Sequence, residues 1–255
     1  MKKQIKKYEI KLFDNLAKKE VYETAPKSFY LYIKKTLRKH EIHLKGRALE
    51  AGCGSGTFGQ QILKFSQELK IIGVDISSQM VKRANKNKNR YKAICGDLES
   101  KNLFMAKTFD VIFCALVLHH FPSLNLVFKN FQKWAKNGSY IIIIEPNSKN
   151  IIGSLSKIFR YFFELIFGQN FVVSRGYATP NEIDHSTSTY VSFLKKHHYQ
   201  NIKVNSGYIR PDIPITTSLG GMRTIITEVF HLIIPFPALT NNFVLITAQK
   251  SNGKK

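Results

Sequence analysis

Three glycines at alternate positions, Gly52, Gly54 and Gly56, separate an apolar segment from an amphipathic one. Arg47 to Ala51 reads as a short buried strand. Thr57 to Leu69 reads as a helix, with Phe58, Ile62, Leu63 and Phe65 apolar and Gln60, Gln61 and Lys64 polar. Glycines let such a turn take positive φ and let a ligand approach the backbone. The turn also opens a helix N-terminus, whose free N–H groups meet ligand oxygens. A strand–turn–helix of this kind predicts an α/β chain with a nucleotide-like cofactor lying across the turn.

The spacing is not the G-x-G-x-x-G of a dinucleotide site, because position 57 is Thr. Glu50 ends the strand just before the first glycine. A carboxylate there would repel a pyrophosphate and suits a cationic amino group. About twenty residues further on, Lys70 to Asp75 reads as a second strand, and Asp75 stands where a carboxylate can accept hydrogen bonds from both ribose hydroxyls. Ser77 is positioned to cap the next helix, which carries Met80, Val81 and Ala84. A third strand, Tyr91 to Cys95, is followed by Gly96-Asp97-Leu98. Glu50, Asp75 and Asp97 thus form a ladder of carboxylates at successive strand ends.

Phe109 to Ala115 is nearly continuously apolar, as a central parallel strand should be. It runs into Leu116-Val117-Leu118-His119-His120-Phe121-Pro122. A helix over Leu124 to Trp134, stopped by Asn137-Gly138, leads to a fifth strand from Ser139 to Pro146. The E-x-G-x-G-x-G turn, the carboxylate ladder and the L-H-H-F segment resemble the class I S-adenosylmethionine (SAM)-dependent methyltransferases, in their small-molecule branch. The resemblance covers residues 44–146 by motif and 187–249 by arrangement.

That resemblance implies a doubly wound, mostly parallel, Rossmann-like sheet of seven strands in the order 3-2-1-4-5-7-6. SAM is the expected cofactor, held by Glu50, Gly52, Cys53, Gly54, Gly56, Asp75, Ile76, Asp97, Leu98, Cys114 and Ala115. Asp97 would accept a hydrogen bond from the adenine amino group. Residues 1–43 would form a helical lid, and residues 44–250 the methyltransferase domain with a helical substrate insertion at about 147–186. Within residues 28–40 a helix follows Pro26, with Ser28 as its cap.

If the acceptor is a hydroxyl, a general base is needed. His119 and His120 fall just past the fourth strand, on the cofactor side, and are the candidate catalytic residues. Adjacent residues on an extended segment point opposite ways, which predicts that one ring faces the pocket, with His119 favoured.

Absences narrow the chemistry. No Asn/Asp-Pro-Pro-aromatic tetrad follows the fourth strand, and no Pro-Cys pair supports a cytosine C5 mechanism. No carboxylate and histidine cluster calls for a metal, and no segment reads as an RNA-binding module. The net charge is +22, with lysine scattered along the chain and densest in two runs, Lys2 to Lys11 and Lys82 to Lys92, which attract nucleic acid or an anionic membrane if they are free. Without a reading motif, nucleic acid is not the expected partner. Ile151 to Phe167 is apolar around most of a helical circumference, which reads as a buried helix, the wall of a greasy pocket or a peripheral membrane contact. Further helices are expected at 187–199 and 223–232, and late strands at Asn201–Val204 and Asn242–Ala248.

Three cysteines far apart in sequence and an N-terminus without an apolar run fit a reduced, cytoplasmic setting. No feature sets an oligomeric state. The chain therefore reads as a SAM-dependent methyltransferase acting on a small or amphiphilic acceptor such as a lipid, quinone, sugar or natural-product intermediate, with O-methylation ahead. The alternatives are a methyltransferase acting on RNA or another macromolecule, and a SAM-fold protein that binds without turnover.

Overall fold

The computed structural model describes residues 3–18, 25–86, 89–150, 183, 185–208 and 241–252. Seven strands form one sheet: β1 (Gly46–Ala51), β2 (Leu69–Asp75), β3 (Tyr91–Cys95), β4 (Phe109–Ala115), β5 (Ala135–Pro146), β6 (Tyr199–Gly207) and β7 (Phe243–Lys250). Their order is β3-β2-β1-β4-β5-β7-β6, with β7 antiparallel to both neighbours and every other pairing parallel. This is the expected doubly wound order. The helices are α1 (Lys3–Lys18), α2 (Lys27–Lys39), α3 (Thr57–Leu63), α4 (Ser78–Ala84), α5 (Asn125–Trp134) and α6 (Thr187–Lys196).

Two hydrophobic layers sandwich the sheet. On one face Trp134, Phe128, Phe131, Tyr190 and Leu194 from α5 and α6 pack on Leu49, Ile112, Cys114 and Ile143. On the other, Phe29, Ile33 and Leu37 of α2 and Ile62 of α3 pack on Ala48, Val111, Phe113 and Ile142. Consecutive isoleucines 141 to 144 are all fully buried because a central strand has no solvent face. Each such side chain contributes roughly 1.5–3 kcal/mol relative to exposure.

Local punctuation differs from the sequence reading at several points. Helix α3 ends at Leu63 rather than Leu69, because the Arg90 guanidinium donates to the Leu63, Ser66 and Leu69 carbonyls and draws the chain into β2. Pro26, not Ser28, occupies the N-cap of α2, and no side chain caps that end. Helix α5 stops at Trp134, since Ala135 already takes extended dihedrals and opens β5. Gly138, at φ 74°, lies inside β5, where the register against β4 shifts. Ser77 does cap α4, accepting from the Met80 N–H at 3.1 Å. The 151–167 segment and the 223–232 helix lie outside the described residues. Among the described residues no helix is long and apolar enough to cross a membrane.

Candidate active site

The strand ends β1 to β4 open into a cavity of about 270 Å³. Glu50, Gly52, Cys53, Gly54, Asp75, Ile76, Asp97, Leu98 and Ala115 of the expected cofactor set line it, together with the candidate catalytic His120, whereas Gly56 is not in the lining and packs toward Ala84 and Tyr91. Positive φ at Gly52, Gly54 and Gly56 (65°, 51° and 77°) turns the chain from β1 into α3. A Cβ on Gly54 would project into open space, so the turn leaves room against the backbone where a ligand can lie.

Asp75 ties this turn to β2. One carboxylate oxygen accepts from Gly54 N–H at 2.8 Å and the other from Ser77 N–H at 2.9 Å. Burial raises its pKa, against the lowering effect of these donors. Both oxygens keep a lone pair that can face a ligand hydroxyl.

Glu50 is more a brace than a free charge. Its carboxylate accepts from Gly59 N–H at 3.1 Å and from the Tyr91 hydroxyl at 2.5 Å, joining β1, α3 and β3. A Cβ at position 59 would meet Glu50 Oε2 at 2.3 Å, so glycine is needed there for the carboxylate to approach the helix. Burial pushes the Glu50 pKa up to about 7, with the two hydrogen bonds opposing the shift. Nothing in the E-x-G-x-G-x-G pattern signals Tyr91 or Gly59 as its partners.

Asp97 sits across the cavity and is ion-paired with Lys6 of α1, which also reaches Glu99 at 2.6 Å. At its other end α1 is held where the Asp14 carboxylate accepts from the Ser77 hydroxyl at 2.6 Å and where Arg83 donates to the Ala17 carbonyl. Between these ties α1 contributes Glu9 and Phe13 to the cavity wall. Part of the basic excess is thus turned inward: Lys6, Arg83 and Arg90 all have partners within the fold.

Cys114 does not reach the cavity. Alternation along β4 turns it to the α5/α6 face, where it is fully buried, while Ala115 faces the cleft.

The two histidines are not on an extended segment. Leu118 to His120 form a 3-10 turn, and the rings lie 4.2 Å apart, tilted by 40°. His120 lines the cavity and His119 is not among the lining residues, which reverses the expected preference. His119 Nδ1 lies 2.7 Å from Glu145 Oε2. Glu145, fully buried at the end of β5, also accepts from the Val117 and Leu118 N–H groups at 2.9 and 2.7 Å. Sequence reasoning missed this residue, and the signal available was an acid ending an all-isoleucine strand. Burial, with His119 beside it, depresses the His120 pKa to about 3, so its ring is neutral in the folded chain. Phe13 packs edge-on against it at 5.4 Å. Aromatic side chains Phe29, Tyr30, Phe58 and Phe121 also line it.

This geometry fits SAM. Gly54 and Asp75 offer backbone space and a ribose acceptor, Asp97 an acceptor for an exocyclic amine, and the acidic wall suits a ligand bearing ammonium and sulfonium groups. Comparison with known proteins agrees. The profile of a methyltransferase domain family matches residues 42–210. A malonyl-[acyl-carrier protein] O-methyltransferase from Priestia megaterium is 31% identical over 129 residues, covering 49% of this chain and 46% of the relative. A ubiquinone biosynthesis O-methyltransferase from Coxiella burnetii is 25% identical over 202 residues, covering 75% and 77%. The chain spans about a third to a half of the length of the first curated relatives it matches, 31% in a Legionella pneumophila protein and 46% in the Priestia one. Among solved structures, a SAM-dependent methyltransferase from Archaeoglobus fulgidus shares the fold with a TM-score of 0.56 at 20% identity, covering 87% of this chain and 94% of that one. With the family profile spanning most of the chain and the seven-stranded order in place, this protein belongs to the class I SAM-dependent methyltransferase family.

Proposed function

We propose that this chain transfers a methyl group to a hydroxyl on a small or amphiphilic acceptor. The observation that carries the reading is the continuity of one cavity from the glycine turn and Asp75 to the neutral His120 ring. Bound SAM supplies an activated methyl group. The protein's part is alignment and exclusion of water. Gly54, Asp75 and Asp97 would hold the cofactor, and Ile76, Leu98 and Ala115 would shield its base and thioether region. Helices α1 and α2 would act as the lid, keeping water out through Phe13, Phe29 and Tyr30. His120, a neutral ring too weakly basic to keep a proton near neutral pH, would accept a hydrogen bond from the acceptor hydroxyl and orient its oxygen at the methyl group, and His119, fixed by Glu145, would hold His120 in place. Oxygen is favoured over nitrogen or carbon because the Priestia and Coxiella relatives are named O-methyltransferases. Incubation with labelled SAM and a small-molecule extract, followed by mass spectrometry, tests this. Label in a neutral, acid-stable ether supports the reading, and label in RNA or protein alone contradicts it.

A further inference from the structure

The Glu50 carboxylate sits in a space cleared by two glycines. A Cβ at Gly59 would meet Glu50 Oε2 at 2.3 Å, and a Cβ at Gly73 would meet the Tyr91 hydroxyl at 2.5 Å and Cys53 Sγ at 2.8 Å. Three titratable groups thus converge behind the glycine turn: Glu50 of β1, Tyr91 of β3 and Cys53 of the turn itself. Tyr91 donates to the carboxylate and also meets the Cys53 thiol, which reaches the Gly54 carbonyl at 3.6 Å. Asp75 of β2 and Tyr30 of α2 interact with the carboxylate by charge. Helix α3 gives it the Gly59 N–H, and Phe113 of β4 stands beside it in register. Glu50 is 2% exposed, yet it borders the cavity with Cys53 and Gly54. A glutamine could bond both partners, accepting from the Gly59 N–H and donating to the Tyr91 oxygen, so bracing alone does not require an acid. What an acid adds is a charge that can come and go.

We infer that Glu50 makes the cofactor site read the charge on the cofactor's sulfur, favouring SAM over S-adenosylhomocysteine when ionised and losing that preference when protonated. The inference rests on the methyltransferase reading of this same cavity. The two ligands share adenosine, ammonium and carboxylate groups and differ in the sulfonium charge, which methyl transfer removes. Glu50 holds its proton up to about pH 7, because burial outweighs the Tyr91 and Gly59 hydrogen bonds. A sulfonium brought into the same poorly hydrated cavity favours the carboxylate and lowers that pKa, whereas a neutral thioether does not. SAM therefore displaces a proton on binding near neutral pH. Its affinity rises with pH until Glu50 is ionised in the free protein too. After transfer the sulfur is neutral and Glu50 takes a proton back from solvent, so the product is held less tightly than the SAM that replaces it.

Isothermal calorimetry of SAM and of S-adenosylhomocysteine with the full chain at pH 6, 7 and 8 tests this. Each titration is run in two buffers of different ionisation enthalpy, which counts the protons released. A sulfonium that lowers the Glu50 pKa by about one unit raises the SAM-to-S-adenosylhomocysteine affinity ratio about fivefold from pH 6 to pH 8. SAM is also expected to release more protons than S-adenosylhomocysteine at pH 7. In Glu50→Gln the ratio should stay within about twofold across this range, a comparison that cancels titration of the ligands' own amino groups. In Tyr91→Phe, which removes a hydrogen bond favouring the carboxylate, the rise should move to higher pH. A flat ratio in the wild type overturns the inference, and so does the same rise in Glu50→Gln. If that variant does not fold, a rise left at the same pH in Tyr91→Phe shows that another group titrates and overturns it too. If the wild type binds neither ligand, the methyltransferase reading itself falls, which is a different result from both ligands bound with a flat ratio.

Discussion

His119 Nδ1 and Glu145 Oε2 lie 2.7 Å apart, and the same carboxylate caps the two backbone N–H groups that precede the histidine turn. One buried acid therefore fixes both the path of the chain after β4 and the orientation of His119. Replacing it with leucine leaves two buried N–H groups without an acceptor, at roughly 1–3 kcal/mol each. Glu145→Leu is expected to lose ~2–5 kcal/mol in urea unfolding. A loss below about 0.5 kcal/mol would mean that the turn holds itself.

His120 lines the cavity with a neutral ring. Because it orients the acceptor, His120→Ala should lower kcat by about 10²-fold while leaving cofactor affinity near wild type, and His119→Ala should lower it less. Single-turnover methyl transfer with saturating cofactor separates the two. Equal, small effects would show that neither ring positions the acceptor.

Glu50 gives a pH signature. Its folded pKa is raised from 4.5 to about 7 by burial, so the folded chain holds this proton more tightly than the unfolded chain does. The resulting stability is fully present below about pH 4.5 and is lost as pH rises through about 7, on the order of 3 kcal/mol in all. Chemical denaturation from pH 5 to pH 8 should show stability falling in the wild type relative to Glu50→Gln. Parallel curves would mean that the carboxylate is ionised and well solvated throughout.

The Lys6 ion pairs with Asp97 and Glu99 predict a kinetic effect. The pairs are partly solvated, so ~0.5–1 kcal/mol is a fair scale. Lys6→Ala should speed S-adenosylhomocysteine release about threefold by stopped flow. An unchanged rate would show that α1 does not gate the cofactor end.

How much of this was legible beforehand follows from range. The glycine turn, the strand-end Asp75 and the continuous apolar β4 are local signals, and each stands where the spacing put it. Contacts between distant segments left no such trace. Lys6 meets Asp97 across 91 residues and Tyr91 meets Glu50 across 41, and no period in the sequence announces either. The segment after β4 reads as extended from its sequence, whereas Glu145 winds it into a 3-10 turn, and this brings His120 rather than His119 to the cavity. Position at the end of β4 alone suggests Cys114 for the site, although the two-residue alternation of a strand sends it to the opposite face from Ala115.

We propose that the Gly52–Gly56 turn with Asp75 binds SAM. Calorimetry with S-adenosylhomocysteine on the wild type and on Asp75→Ala, with a thermal melt to show that both are folded, tests it most directly. One-to-one binding by the wild type and a loss of at least about tenfold in the variant are expected, since charge-assisted ribose hydrogen bonds are removed. Wild-type affinity in Asp75→Ala, or binding of NADH in place of S-adenosylhomocysteine, would contradict it.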